Sequence, residues 1–491
     1  MKPNISDEEK LNIVLSEKEW QIFDCKRAAI KPTDLLETVV AFVNADGGTI
    51  ALGLEDPRRA VGEKRLLGIN ENMENVSDFL SRLDRDIKPS LPNYSKYDLP
   101  IINVKGDKDF IYLITIDKSK DVHSLYNGDT YLRKGDRSIK IGSTEIIRLK
   151  YEKGSLEFEN ELTDINTLED IDENLLKQYK EDNQSYSIDN WQFLKDNGLS
   201  RIKEDKFYIT KAGVLLSFKN PAISLGAKCS IKITHYYGTE PTYTGEPNLV
   251  IRPFSIEGPL LKQIQGAIDY FKTIVRQSPP KLSNGYFKPT FSIPESAFQE
   301  AVTNAVVHRN YSVPNDIQIR FFDDRVEIES PGSYPGFITV NNIRTERFAR
   351  NPIIQRTLSR FGHAPNLDIG EGVDRMFKVM SEQNLYDPLY IPPNQNPNSV
   401  LLKLLNQQKV EFWDTVNKDL IKNYKITNSE AKKITGIMDT TKMSRMFKSW
   451  QKNGLIEKVT DGYNGNTFYK KPGMEIALSF ASYIANADSE S

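Results

Sequence analysis

The chain has 491 residues, of which 38% are hydrophobic and 27% charged, and its formal net charge is −2. That balance excludes a disordered chain, while the length exceeds one ordinary core and predicts roughly three or four domains. Near-neutral charge argues neither for nor against nucleic acid. Cys25 and Cys229 stand too far apart for a disulfide framework or metal spacing, and no stretch has signal-peptide or membrane-spanning character, so a cytoplasmic protein without membrane contact is expected.

In the first segment, Glu19-Trp-Gln-Ile-Phe-Asp24-Cys-Lys26 reads as extended chain whose period of two puts Asp24 and Lys26 on one face. Residues 34–44 predict a short amphipathic helix stopped by Asp46-Gly47-Gly48, followed by the buried strand 49–54 and the acidic pair Glu55-Asp56. Thr130-Tyr131-Leu132-Arg133-Lys134-Gly135-Asp136-Arg137 predicts a strand running into a basic, glycine-broken loop. Together these motifs resemble the Schlafen AlbA-like (divergent AAA) domain: an acidic extended segment ending in Lys26, Ala41-Phe42-Val43-Asn44 ahead of Gly47-Gly48, the Glu55-Asp56 pair, and Tyr131-x-Arg133-x-Gly135. The resemblance implies nucleic-acid binding and, in members that cut, three carboxylates. These map onto Glu19, Asp24 and Asp56, with Glu55 as understudy for Asp56. Clustered carboxylates can hold Mg²⁺ or Mn²⁺ beside a phosphodiester and activate water. Asp24 departs from the family's usual Glu, which would shift a metal by about an ångström. Cleavage, binding without cleavage and a purely structural module all remain open; Lys26, Arg27, Arg133, Lys134, Arg137 and Lys140 would meet phosphates in either functional case.

Residues 151–195 turn acidic and predict a linker with helix signals, its carboxylates solvated. Thr210 caps a predicted helix, residues 229–238 predict a strand, and Leu260, Ile264, Ile268 and Phe271 mark a long amphipathic helix. His123 and His235 are lone histidines, read as structural rather than metal-binding.

In Glu300-Ala-Val-Thr-Asn304-Ala-Val-Val-His308, steps of four align a carboxylate, a carboxamide and an imidazole on a predicted helix. Ala297, Phe298, Ala301, Val302, Ala305 and Val306 form its apolar stripe. A carboxylate can orient water, and an amide oxygen one turn on can complete the shell of a hard cation. Residues 321–330 alternate like a strand that breaks at Ser330-Pro331-Gly332, and Gly370-Glu371-Gly372 opens an apolar-periodic helix where backbone N–H groups can approach an anion. Residues from about 290 to 385 therefore resemble the GHKL (Bergerat-fold) ATPases, in the branch of RecG-like C-terminal ATP-binding proteins; 200–290 resembles that family's scaffold. By that resemblance Asn304 ligates Mg²⁺ on ATP, Glu300 polarises the attacking water, Gly332 closes the adenine side, and Gly370, Glu371 and Gly372 wrap the phosphates, with His308 also at the nucleotide. Ser330 stands where the family places an Asp that reads the adenine amino group, a bond a hydroxyl makes less selectively. A lid is expected somewhere in 333–365.

Beyond residue 408 the pattern becomes three short helices and a hairpin, which resembles a winged helix-turn-helix. Its third helix predicts Lys442, Arg445, Lys448 and Lys452 outward and Met443, Met446, Phe447 and Trp450 inward. DNA contact and a docking role both remain open. The whole reads as a mixed α/β (α+β) multidomain chain: a Schlafen AlbA-like α/β domain over 1–150, an acidic linker over 151–195, a GHKL α/β sandwich over 196–405, a winged helix-turn-helix over 408–475, and a tail over 476–491. The function expected is an ATP-binding, nucleic-acid-binding protein, an ATP-regulated metal-dependent nuclease in bacterial defence. The alternative is an ATP-sensing winged-helix transcriptional regulator. ATP and Mg²⁺ (or Mn²⁺) are the expected cofactors; DNA or RNA, a homo-oligomeric partner copy and a protein of the same operon are the expected partners.

Overall fold

Apolar spacing accounts for most elements of the fold, here a computed structural model. It describes residues 6–17, 19–185, 189–242, 244–277, 281–283, 286–288, 291–365, 370–391, 396, 398–423, 425–460 and 467–472. The chain divides into two compact units, Met1–Lys150 with Val410–Ser491, and Tyr151–Lys409. The molecule is mixed α/β throughout.

In the first unit the strands Phe23–Lys26, Gly48–Leu52, Lys108–Ile116 and Tyr94–Ile102 form one sheet in that spatial order. Phe23 pairs with Thr49 in the parallel edge, and the other pairings are antiparallel. The helix Pro32–Asn44 connects the parallel strands and buries Leu35, Leu36, Val39, Val40, Phe42 and Val43. Its last residue is a buried polar clamp: the Asn44 amide donates to the His123 and Tyr131 carbonyls at 2.8 and 2.9 Å, and its oxygen accepts from the His123 backbone. Gly47 then turns the chain at φ 79°, where a Cβ would strike the Ile116 carbonyl. The strands Thr130–Lys134 and Arg137–Ile141 form a hairpin around Gly135.

The 410–491 part of this unit begins with the helices Trp413–Asn423, Asn428–Thr435 and Thr440–Lys452. They lead into the antiparallel pair Glu457–Thr460 and Thr467–Lys470. Thr427 and Glu430 form a reciprocal capping box, and Gly436 ends the second helix at φ 71°. Met443, Phe447 and Trp450 are buried and Met446 is half-buried; Phe447 stacks on Tyr469 with centroids 4.2 Å apart. The turn of the expected hairpin, over residues 461–466, and the tail over 476–491 lie outside the described residues.

The second unit is built on a six-stranded sheet in the order Phe254–Ile256, Ile231–His235, Ile317–Phe321, Arg325–Pro331, Ser399–Leu405, Leu389–Tyr390. Only the Ile231–His235 and Ile317–Phe321 pairing is parallel among them. The helices Leu260–Gln277 and Glu295–Val307 bury their apolar stripes in one core with this sheet, where Phe298 stacks on Phe271 at 4.3 Å. The single strand read over 321–330 is corrected to a hairpin. Asp323 and Asp324 turn the chain between Ile317–Phe321 and Arg325–Pro331, because two adjacent carboxylates suit a turn better than a ladder.

The acidic stretch after residue 150 is corrected too, since not all its carboxylates are solvated. Glu159 is wholly buried and accepts from the Ile353 and Ile354 backbone at 2.7 and 2.9 Å, at the start of the helix Pro352–Ser359. Burial pushes its carboxyl up to about 7. Asp172 caps the helix Glu173–Asp182 and pairs with Lys262. His123 Nδ1 donates to the Pro89 carbonyl and its Nε2 bonds Ser119 Oγ, while His235 Nδ1 bonds the Tyr270 hydroxyl, as structural histidines do.

Candidate functional site

The second unit contains a cavity of ≈ 420 Å³ between the helix Glu295–Val307, the sheet strand ending at Pro331, and the start of the helix Gly372–Glu382. Small-molecule sites typically span about 300–1,000 Å³. Glu300, Asn304, His308, Ser330, Gly332, Gly370, Glu371 and Gly372 all line it. Every residue assigned to nucleotide on sequence grounds in this unit therefore meets in one place.

The four-residue step of the helix sets the first pair. The Asn304 amide donates to Glu300 Oε1 at 3.0 Å, which leaves its own oxygen as an acceptor. Burial raises the Glu300 carboxyl above its usual range, opposed by Asn304 and by the charge of Arg375. Glu300 lies against the backbone of Gly372, where a Cβ would overlap the carboxylate. His308 has no hydrogen-bond partner for its Nδ1 among the described residues. Burial and the nearby Arg350 hold its imidazole down to about 4, so it is neutral near pH 7.

Ser330 is buried and its hydroxyl donates to the Ala305 carbonyl at 2.7 Å. The proton is thereby committed, and what Oγ offers a ligand is a lone pair. Gly332, at φ 99°, is required by its neighbours, since a side chain there would strike Asn310 and the Arg350 guanidinium. Gly370, at φ 70°, lies under the Arg347 side chain. Sequence reading missed Tyr334, Arg344, Arg347, Arg375 and Tyr390 on the cavity wall. The pair Arg344 and Arg347 and the arginine three residues past Gly372 were sequence signals left unused.

The first unit gathers its carboxylates differently. Asp24 is buried with Arg133, whose Nη1 donates to Asp24 Oδ2 at 2.9 Å, and it also pairs with Lys26. Arg133 further donates to the Trp20 carbonyl at 2.9 Å through Nη2. Its expected role as a surface phosphate contact is corrected: it is an interior counter-ion, because Asp24 beside it needs one. The exposed Arg58 pairs with Glu19 at 2.7 Å, Asp56 at 3.1 Å and Asp136 at 3.7 Å. Burial and the Asp24 carboxylate raise Glu19. Burial also pushes Asp56 up, but hydrogen bonds from the Arg58 side chain and backbone outweigh it and hold Asp56 low. Glu55 faces Arg27 at 3.4 Å instead.

Among the described residues no three His, Cys, Asp or Glu side chains are arranged around one metal position. As placed, the Glu19, Asp24 and Asp56 carboxylates are engaged by the Arg58 and Arg133 guanidinium groups and the Lys26 ammonium. Lys134 and Arg137 are exposed, as are Lys442, Arg445, Lys448 and Lys452 along one helix.

Comparison with known proteins agrees with this division. Residues 19–142 match the family model described as "Schlafen, AlbA_2". Residues 315–402 match the one described as "Putative ATP-dependent DNA helicase recG C-terminal". The second span takes in Ser330, Gly332, Gly370, Glu371 and Gly372, and the Glu300–Asn304 helix precedes it. A Schlafen-type segment thus stands ahead of a RecG-like, ATPase-type segment in this chain, a pairing that points to ATP binding and a nucleic-acid-related function. Among solved structures, the chain is similar to the crystal structure of the DIP2311 protein from Corynebacterium diphtheriae. The two are 16% identical with a TM-score of 0.41, over 96% of this chain and 99% of that one. No protein with a curated description matches the sequence. Among the described residues no helix is long and apolar enough to cross a membrane.

Proposed function

We propose that this protein binds magnesium–ATP in the 151–409 unit and binds nucleic acid through its other unit, the nucleotide controlling that binding. The observation that carries the reading is the cavity on which Glu300, Asn304, Ser330, Gly332, Gly370, Glu371 and Gly372 converge. The residues fit the ligand. A glycine-flanked helix start suits phosphates, the Asn304 oxygen suits a hard cation, and an apolar wall with Ile328, Ile338 and Leu402 suits a base. Bound magnesium would supply charge neutralisation at the phosphates. Glu300, raised by burial and steadied by Asn304, would orient water, and neutral His308 would offer its free nitrogen to the ligand without adding charge. Calorimetry with magnesium and ATP tests this: wild type gives saturable heat and Asn304→Ala loses most of it, whereas no heat from wild type rejects the reading.

Nucleic acid would be met by Lys134 and Arg137 and by the basic helix Thr440–Lys452, which with its hairpin is the winged-helix element of the regulator reading. A second reading, cleavage of that nucleic acid, is favoured by one observation: Glu19 and Asp56, from separate segments, close on the same exposed guanidinium of Arg58. Labelled RNA and DNA incubated with Mg²⁺ or Mn²⁺, with and without ATP, separate the two. Cutting that Asp56→Ala abolishes while ATP binding persists supports a nuclease; a shifted but intact substrate supports binding alone.

A further inference from the structure

Arg375 belongs to no motif that led to the nucleotide reading, yet it lines the same cavity, one turn into the helix Gly372–Glu382. It stands three residues after Gly372, on the side of the helix where Gly372 opens to the cavity. Its neighbouring cation on the wall, Arg344, is otherwise committed: it pairs with Asp374 at 2.9 Å and lies over the Phe377 ring at 4.4 Å. Arg375 is half-buried and has no carboxylate within ion-pair distance among the described residues. Glu300 lines the same cavity and rests on the Gly372 backbone, three residues before Arg375.

The Glu300 carboxylate thus occupies a corner that has the character of a phosphate position. It sits against a helix start, in the cavity that Arg375 also lines. A terminal phosphate entering that corner would bring a second negative charge next to Glu300. Two anions at such range repel by several kcal/mol unless a cation serves both. A nucleotide that stops at the second phosphate does not raise this conflict.

We propose that Arg375 is the residue that pairs with the terminal phosphate of the bound nucleotide, so that the cavity distinguishes a triphosphate from a diphosphate. This deepens the ATP-binding reading and rests on it. Arg375 would meet the phosphate on binding and leave Glu300 available to water. Its fork of donors suits phosphate oxygens better than an ammonium would.

The test is calorimetric titration of the full-length protein with magnesium–ATP and magnesium–ADP, in wild type, Arg375→Ala and Arg375→Lys. The expected result is a loss of about tenfold to a hundredfold in ATP affinity for Arg375→Ala, with ADP affinity changed by less than about threefold. Arg375→Lys should recover part of the ATP preference, and it carries the comparison if the alanine variant does not fold. Equal weakening of both nucleotides, or no weakening of either, overturns the proposal while leaving ATP binding intact. Failure of wild type to bind either nucleotide overturns the underlying reading, and the proposal with it.

Discussion

At Ser330 the hydroxyl hydrogen is spent on the Ala305 carbonyl, so the oxygen can only accept from a base. An accepting group welcomes the 6-amino group of adenine and opposes the 6-oxo group of guanine. ATP should therefore bind in preference to GTP, and Ser330→Ala should narrow the gap by about tenfold in competition binding. The substitution was legible in sequence; its selectivity was not, because it depends on which carbonyl lies behind the strand. Glu159 makes a second prediction. Its carboxyl titrates near 7 in the fold against an ordinary 4.5, so between those values the native state holds more protons than the unfolded chain. The stability tied to this group is complete below about pH 4.5 and disappears as pH rises through about 7. Glu159→Gln should flatten the melting temperature against pH across that window, read by thermal denaturation at several pH values.

At the scale of elements, the helix Glu295–Val307 was the most readable, since its stripe and its polar line both follow the helical period. The strand pair Ile317–Phe321 and Arg325–Pro331 was less so. Ile317, Ile319 and Phe321 are buried at odd positions and Val326 and Ile328 at even ones, so the alternation changes phase across the two-aspartate turn. That change of phase marked the reversal, and reading 321–330 as one strand passed over it. The helix Thr440–Lys452 followed its pattern closely, with apolar side chains inside and four cations out. If that face meets DNA, the double variant Lys442→Ala/Arg445→Ala should weaken binding to all sequences alike. It should also lower the slope of log affinity against log salt by about two, measured by fluorescence anisotropy. An unchanged salt slope would assign the face to another role. The Tyr131-x-Arg133-x-Gly135 motif shows the limit of such reading, because an arginine in a basic loop looks the same in sequence whether it serves solvent or a buried aspartate.

For the whole molecule, a ligand that binds only the native 151–409 unit stabilises that unit by mass action. Saturating magnesium–ATP should slow hydrogen exchange in residues 295–307 and 372–382, with Asn304→Ala losing the effect. Slowed exchange in 19–142 as well would be the mark of nucleotide control over nucleic acid. Light scattering with and without ATP tests the expected homo-oligomer, and the mass of a single chain in both states rejects it. Each unit's family resemblance was legible because its motifs are local. What joins a motif to its surroundings was not, as the buried acids Glu159 and Asp172 show within a stretch that composition marks as surface.

The Arg350 guanidinium holds three carbonyls at once, those of His308 at 2.8 Å, Ser333 at 2.6 Å and Glu152 at 2.7 Å. Gly336 adds a bond to the Lys153 carbonyl at 3.0 Å. The rim of the cavity is thereby stitched to Glu152 and Lys153, at the start of its own unit. Any rearrangement that a ligand imposes on residues 333–350 must therefore either break those bonds or carry Glu152 and Lys153 with it.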